Sequence, residues 1–158
     1  MIQGNPSGPV LFCYDGSEGS RGAMRAAANL IEPAVEVVVL TVWEPVAVRL
    51  ALAGTFATAA IPSEAEIDDQ EASLARKAAD DGAQRAAGHG FKAVARTDIS
   101  TKGIAPTILD VADEISARLI VCGQRGRGPV RAALLGSVSH ALASHTHRPV
   151  LISPEHAV

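Results

Sequence analysis

The chain has 158 residues, of which 47% are hydrophobic and 20% charged, with a formal net charge of -3. That length and balance exclude a disordered chain and fit one domain, over 1–158, with a real core. The acidic charge argues against general affinity for nucleic acid or membrane surfaces.

Residues 9–14 (PVLFCY) form an apolar run that ends at Asp15-Gly16-Ser17. Ala23, Met24, Ala27, Ala28 and Ile31 then recur at helical spacing, and Pro33 ends that helix. Residues 35–43 (VEVVVLTVW) are rich in β-branched side chains and predict a fully buried second strand. The small apolar stretch 46–62 has no clear period and reads as a loop with room for a short helix. Ser63 and Glu66 have the spacing of a capping box, opening an Ala-rich helix that runs to about residue 87. Gly88-His89-Gly90 stops it. A third strand follows over 91–99. A helix over 103–117 carries Ile104, Ile108, Val111, Ala112 and Ile115 on one face. Residues 119–122 are the fourth strand, 137 to about 146 the last helix, and 149–153 (PVLIS) the fifth strand.

Strands that alternate with helices call for a parallel sheet covered on both faces, and the apolar runs suit burial on two sides. Ligands of such sheets bind beyond the carboxyl ends of the strands, where the winding reverses. Asp15 follows the first strand and Gly123 the fourth, so both belong on that edge. No apolar run approaches the about 20 residues of a membrane span, and residues 1–8 lack the pattern of a signal peptide. The expectation is a cytoplasmic protein without a membrane partner. Cys13 and Cys122 sit in strand-like runs and read as small buried residues of a reducing compartment. A redox pair would need those two strands to be neighbours.

The glycine loop carries most of the chemistry. Gly123-Gln124-Arg125-Gly126 is followed by nine residues and then Gly136-Ser137. A strand, a glycine loop and a helix N-terminus together form a site for phosphate groups: glycine admits a close ligand, and the helix end offers free N–H groups and a positive dipole. Arg125, Arg127 and Arg131 add positive charge, and no Asp or Glu occurs from 115 to 154. The loop lacks the G-x-x-x-x-G-K-[ST] of a P-loop, the dinucleotide fingerprint after the first strand, and a G-x-S-x-G elbow. The plainer alternatives are turn glycines, Asp15 and Ser137 as helix caps, and arginines as a solvated face. His140, His145 and His147 read as exposed or helix-ending residues, and Asp68, Asp69 and Glu71 as acids near a helix start, so no metal site is expected. No catalytic residue is assigned. Asp15 alone is a candidate base or Mg²⁺ ligand, and phosphoryl chemistry asks for a placed base and usually a metal clamp.

The spacing Gly123-x2-Gly126-x9-Gly136-Ser137 resembles the nucleotide-binding pattern of the universal stress proteins. The opening DGSEGS at 15–20, the stretch 126–129 leading to LGSVS at 135–139, and the ending HRPVLI at 147–152 extend the resemblance over nearly the whole chain. It implies a five-stranded parallel α/β sheet in the order 3-2-1-4-5, of the Rossmann-like adenine-nucleotide α-hydrolase type. It implies ATP, with or without Mg²⁺, as the ligand of a regulatory stress-response protein, and homodimers through the last strand. Carried over by residue, Asp15 meets the ribose or adenine side and Val42 contacts adenine through its backbone. Gly123, Gly126, Gly136, Ser137 and Val138 hold ribose and phosphates, with Ser139 close behind. The competing readings are a weak ATP hydrolase or phosphotransferase on the same scaffold, and a nucleotide-free interaction scaffold. Whether ATP, AMP or cyclic AMP is preferred stays open.

Overall fold

In the computed structural model the described residues are 7–54, 63–126 and 135–154. Five strands, β1 (Val10–Cys13), β2 (Glu36–Trp43), β3 (Lys92–Ile99), β4 (Leu119–Gly123) and β5 (Val150–Ser153), form one sheet. All pairings are parallel, in the order β3-β2-β1-β4-β5. The helices are α1 (Glu18–Ala28), α2 (Val46–Leu52), α3 (Glu64–Gly88), α4 (Ile104–Glu114) and α5 (Ser137–His145). The winding runs outward from β1 to β3 and then restarts on the other side of β1 with β4. The reversal therefore lies between the carboxyl ends of β1 and β4, as the sequence predicts.

Alternation along the strands divides the core in two. Val10, Phe12 and Tyr14 join Val37, Val39 and Val121 beneath α1 and α3, where the Phe12 and Phe91 rings meet edge to face at 5.6 Å. Leu11, Leu40, Ile120 and Cys122 face the other way, beneath Ile108, Val111 and Ala112 of α4 and Leu142 of α5. The expectation of continuous apolar strands fails at β3. That strand is an edge: Val94 and Ile99 are exposed, and Arg96 pairs with Asp98 and with Glu114. Charges on an edge discourage pairing with stray strands.

Local capping differs from the sequence reading in four places. The first helix ends at Ala28, with Asn29 as its cap, rather than at Pro33. Ser17, not Asp15, caps α1, its hydroxyl accepting from the N–H of Ser20. Ser63 makes no capping bond, because its ψ of 26° departs from the extended backbone that aims a cap side chain at the first turn. Ser137 is the first helical residue of α5 and Gly136 is the cap. The stretch after Pro45 forms α2, whose Val46 N–H is accepted by Asp68 of α3 at 2.8 Å. Residues 55–62 of the expected loop lie outside the described residues. Among the described residues no helix is long and apolar enough to cross a membrane.

The helix α3 lies very close to the sheet at Gly82. A Cβ there would stand 2.7 Å from Val39 Cγ1 and 2.8 Å from the Tyr14 ring. Helix propensity alone makes Gly→Ala in a helix interior stabilising by about 1 kcal/mol. Overpacking of a tight contact instead costs about 1–3 kcal/mol. Gly82→Ala is expected to lower the unfolding free energy in a urea titration; a rise would show that the helix moves away freely.

Candidate functional site

The carboxyl end of β1 is held from three sides. The Tyr14 N–H donates to Leu40 O at 2.9 Å, and Thr41 Oγ1 donates to Tyr14 O at 2.7 Å. The buried Tyr14 hydroxyl donates to Asp81 Oδ2 of α3 at 2.5 Å, and Arg85 Nε donates to the same oxygen at 2.8 Å. Asp15 follows on this fixed base. Its Oδ1 accepts the Ser17 N–H at 2.9 Å, closing a turn in which Gly16 takes a φ of 75°.

The end of β4 is tied to the start of α5. The Gln124 N–H donates to Ser153 O at 2.7 Å, and the Gly136 N–H donates to Gln124 O at 2.8 Å. The buried Ser139 hydroxyl lies 2.9 Å from Gln124 O and 3.0 Å from Gly136 O. Its proton therefore serves the join, and Ser139 shapes the site from behind. The α5 N-terminus has no side-chain cap, so its first-turn N–H groups need partners from elsewhere.

The glycines have reasons in the protein itself. A Cβ on Gly123 would lie 2.7 Å from the Gly19 backbone, and one on Gly19 2.4 Å from Arg125 O. A Cβ on Gly126 would lie 2.8 Å from Asp15 Oδ2, and one on Gly136 3.2 Å from Gln124 O. The sequence reading assigned Gly123, Gly126 and Gly136 to close approach of a ligand, and Gly19 only to the opening motif. The structure adds that the first turn of α1, the loop and Asp15 approach one another there.

These elements enclose a cavity of about 760 Å³ at the winding reversal. Asp15, Val42, Gly123, Gly126, Gly136, Ser137, Val138 and Ser139 all line it. The structure thus brings every predicted site residue together. Arg125 also lines the cavity, while Arg127 and Arg131 lie outside the described residues. Sequence reasoning missed Leu40, Ile104 and Ile108, which give one wall an apolar surface. Their only signal was core periodicity, which does not distinguish a core residue from a cavity wall. It also missed Tyr14 as a support. A cavity of this size with apolar walls and few polar groups suits a small ligand. A second cavity of about 210 Å³ adjoins it, sharing Asp15, Val42 and Ile104.

The histidines His140, His145 and His147 are exposed, and among the described residues no group of three or more His, Cys, Asp or Glu gathers as a metal site. Burial pushes the Cys122 thiol up to about 11. Burial, then Cys122, then Asp15 push the Cys13 thiol well above its ordinary value. The hydrogen bond from Arg85, then that from Tyr14, lower Asp81.

Residues 7–154 match the universal stress protein family. The chain belongs to that family. The universal stress protein Rv1996 of Mycobacterium tuberculosis is 44% identical over 52 residues, 33% of this chain and 16% of that protein. The same identity and coverage relate the chain to the universal stress protein Mb2019 of Mycobacterium bovis. The matched segment thus spans about a sixth of the curated relatives' length. Among solved structures, the hypothetical protein MJ0577 aligns with a TM-score of 0.75 at 20% identity, over 96% of this chain and 99% of that one. A universal stress protein from Archaeoglobus fulgidus in complex with dAMP aligns at 0.64 and 20% identity, over 96% and 98%. A universal stress protein in complex with cAMP aligns at 0.59 and 21% identity, over 94% and 97%. At these identities the solved structures establish the shared fold.

Tyr14 is the only tyrosine of the chain, so its ionisation is directly readable by phenolate absorbance. Burial, then the hydrogen bond to Asp81, raise it above the ordinary 10.0. A raised folded value favours the neutral phenol. Its stabilisation is complete below the unfolded value of about 10 and is lost as pH climbs through the folded value. The native protein is expected to titrate above pH 10 with a parallel loss of stability, and Tyr14→Phe to remove that step. Titration at or below 10 would refute the buried Tyr14–Asp81 contact.

Proposed function

We propose that this universal stress protein binds adenine nucleotide, with ATP as the leading ligand, in the cavity between the ends of β1 and β4. The observation that supports it is the meeting of Asp15, Val42 and the Gly123, Gly126, Gly136–Ser139 group around one cavity with the uncapped N-terminus of α5. In this reading the base and ribose lie on the Asp15–Val42 side against Leu40 and Ile104. Phosphates, with Mg²⁺ if it accompanies ATP, lie toward the loop and α5. The dAMP and cAMP complexes of related folds support an adenine ligand. The protein acts as a single-domain regulatory module of the cytoplasm in stress response.

Calorimetry with ATP, ADP, AMP and cyclic AMP is the direct test. Micromolar affinity corresponds to about 8 kcal/mol; absence of heat with all four would overturn the reading. Gly126→Asp sets a second carboxylate beside Asp15, against the phosphates. At an effective dielectric of about 20, like charges about 4 Å apart repel by about 4 kcal/mol. Affinity is expected to fall about a thousandfold; the new carboxylate also repels Asp15, so the nucleotide-free thermal midpoint falls as well, and affinity is read below that midpoint, where the variant is folded. Wild-type affinity in this variant would remove the loop from the phosphate site.

The same reading includes a homodimer through β5. Val150, Leu151 and Ile152 are half-buried on the outer strand beside β4, between Pro149 and Pro154. An apolar edge with free backbone groups favours a second copy, and two-fold pairing is the commonest solution. Light scattering at micromolar concentration is expected to give twice the chain mass, and a monomer mass would reject the pairing.

A further inference from the structure

The floor of the large cavity carries two side chains that nucleotide binding leaves unused. β1 and β4 are parallel neighbours in the register Val10↔Leu119, Leu11↔Ile120 and Phe12↔Val121. The next step of that register sets Cys13 beside Cys122. The two share one face of the sheet: Cys122 belongs to the core cluster of Leu11 and Ile120, and Cys13 packs against it. Both are free thiols, both line the cavity, and the chain has no other cysteine.

We propose that Cys13 and Cys122 form a two-coordinate site for a soft monovalent cation of the copper(I) class, reached through the cavity. This inference does not rest on nucleotide binding. Adjacent strands lie about 4.7–4.9 Å apart, and side chains standing side by side on one face keep about that separation. The strand spacing lies within the Cα range a disulfide allows, but a disulfide asks for Cβ atoms about 3.5–4.5 Å apart, closer than side chains standing side by side on neighbouring strands. Two bonds of about 2.3 Å, the length thiolate makes to zinc, on opposite sides of one ion would span about 4.6 Å, a separation close to that of neighbouring strands. Zinc asks for four ligands, and among the described residues no third donor from His, Cys, Asp or Glu completes such a group. Two thiolates alone suit copper(I), a soft ion that thiolate ligands select.

Binding displaces two protons: Cu⁺ and two thiols give a bis-thiolate complex of charge -1 and two H⁺, with no change of oxidation state. The N-terminus of α5, on the same cavity, favours that negative charge, and Asp15 opposes it. Because burial holds both thiols protonated, attack on a peroxide, which requires thiolate, is disfavoured, whereas a thiophilic ion displaces the protons. The other titratable groups lining the cavity are Tyr14, Asp15, Arg125 and His140.

The experiment is anaerobic titration of the reduced full chain with copper(I), in competition with a chromogenic copper(I) chelator. One copper per chain is expected, with thiolate-to-metal absorption in the near ultraviolet. Affinity should rise about a hundredfold per pH unit from 7 to 9, the signature of two protons released. Cys13→Ser and Cys122→Ser should each weaken binding at least a hundredfold, and the double variant should show no uptake at this site. Circular dichroism checks each fold, and Cys122→Ala replaces the serine variant should that one unfold. Uptake unchanged in either single variant, half a copper per chain, or a pH slope of one proton or none would overturn the proposal. So would a disulfide that forms readily with peroxide in a protein that takes up no copper(I).

Discussion

The position of β1 between β2 and β4 governs this molecule. It is hydrogen-bonded in parallel to both, as far as Cys13 on the β2 side and Phe12 on the β4 side. The winding reverses beside it, leaving a gap between the carboxyl ends of β1 and β4. That gap becomes the cavity. Its walls are the residues that follow directly from the two strands, Tyr14-Asp15 on one side and Gly123-Gln124 on the other. An error in the pairing of β1 would therefore misplace the core and the site together.

Close backbone contact then converts a gap into a shaped site. Gly19 and Gly123 let the first turn of α1 meet the end of β4, and Gly126 lets the loop meet Asp15. Gln124 O gathers the Gly136 N–H and the Ser139 hydroxyl, so the end of β4 is tied to the start of α5. Behind Asp15, the Tyr14 hydroxyl reaches across to Asp81 on α3. The same glycines thus serve the protein's packing and leave room in the cavity, and the two roles do not compete.

Much of this was legible in the chain. β-branched runs separated by periodic Ala-rich segments specify parallel strands with crossover helices. The spacing from Gly123 to Ser137 with the DGSEGS opening pointed to the family and to the residues that line the cavity. Less was legible at the helix ends. Ser63 and Glu66 have the right spacing for a capping box, yet the entry into α3 turns Ser63 away from the required backbone. Asp15 and Ser137 looked like caps, and neighbours in the chain, Ser17 and Gly136, take that position. A shift of one or two residues at a helix start costs little locally, so the packing of the whole helix decides it. β3 read as a core strand, but its place at the sheet edge leaves Val94 and Ile99 exposed.

By itself the sequence determined the alternation of elements, the parallel sheet, the family and the set of residues that line the cavity at the carboxyl edge of the sheet. Each of these rests on local pattern: burial period, turn chemistry and motif spacing. The tertiary structure alone decided which residues face one another across distance. It placed Tyr14 on Asp81, Gly82 against Val39, and Gly123 against Gly19. It also made the strands of Cys13 and Cys122 neighbours in register, a relation between positions 109 residues apart in number (122 minus 13). Such contacts follow from strand order and helix docking, which depend on the summed burial of the whole chain and leave no mark on the few residues between.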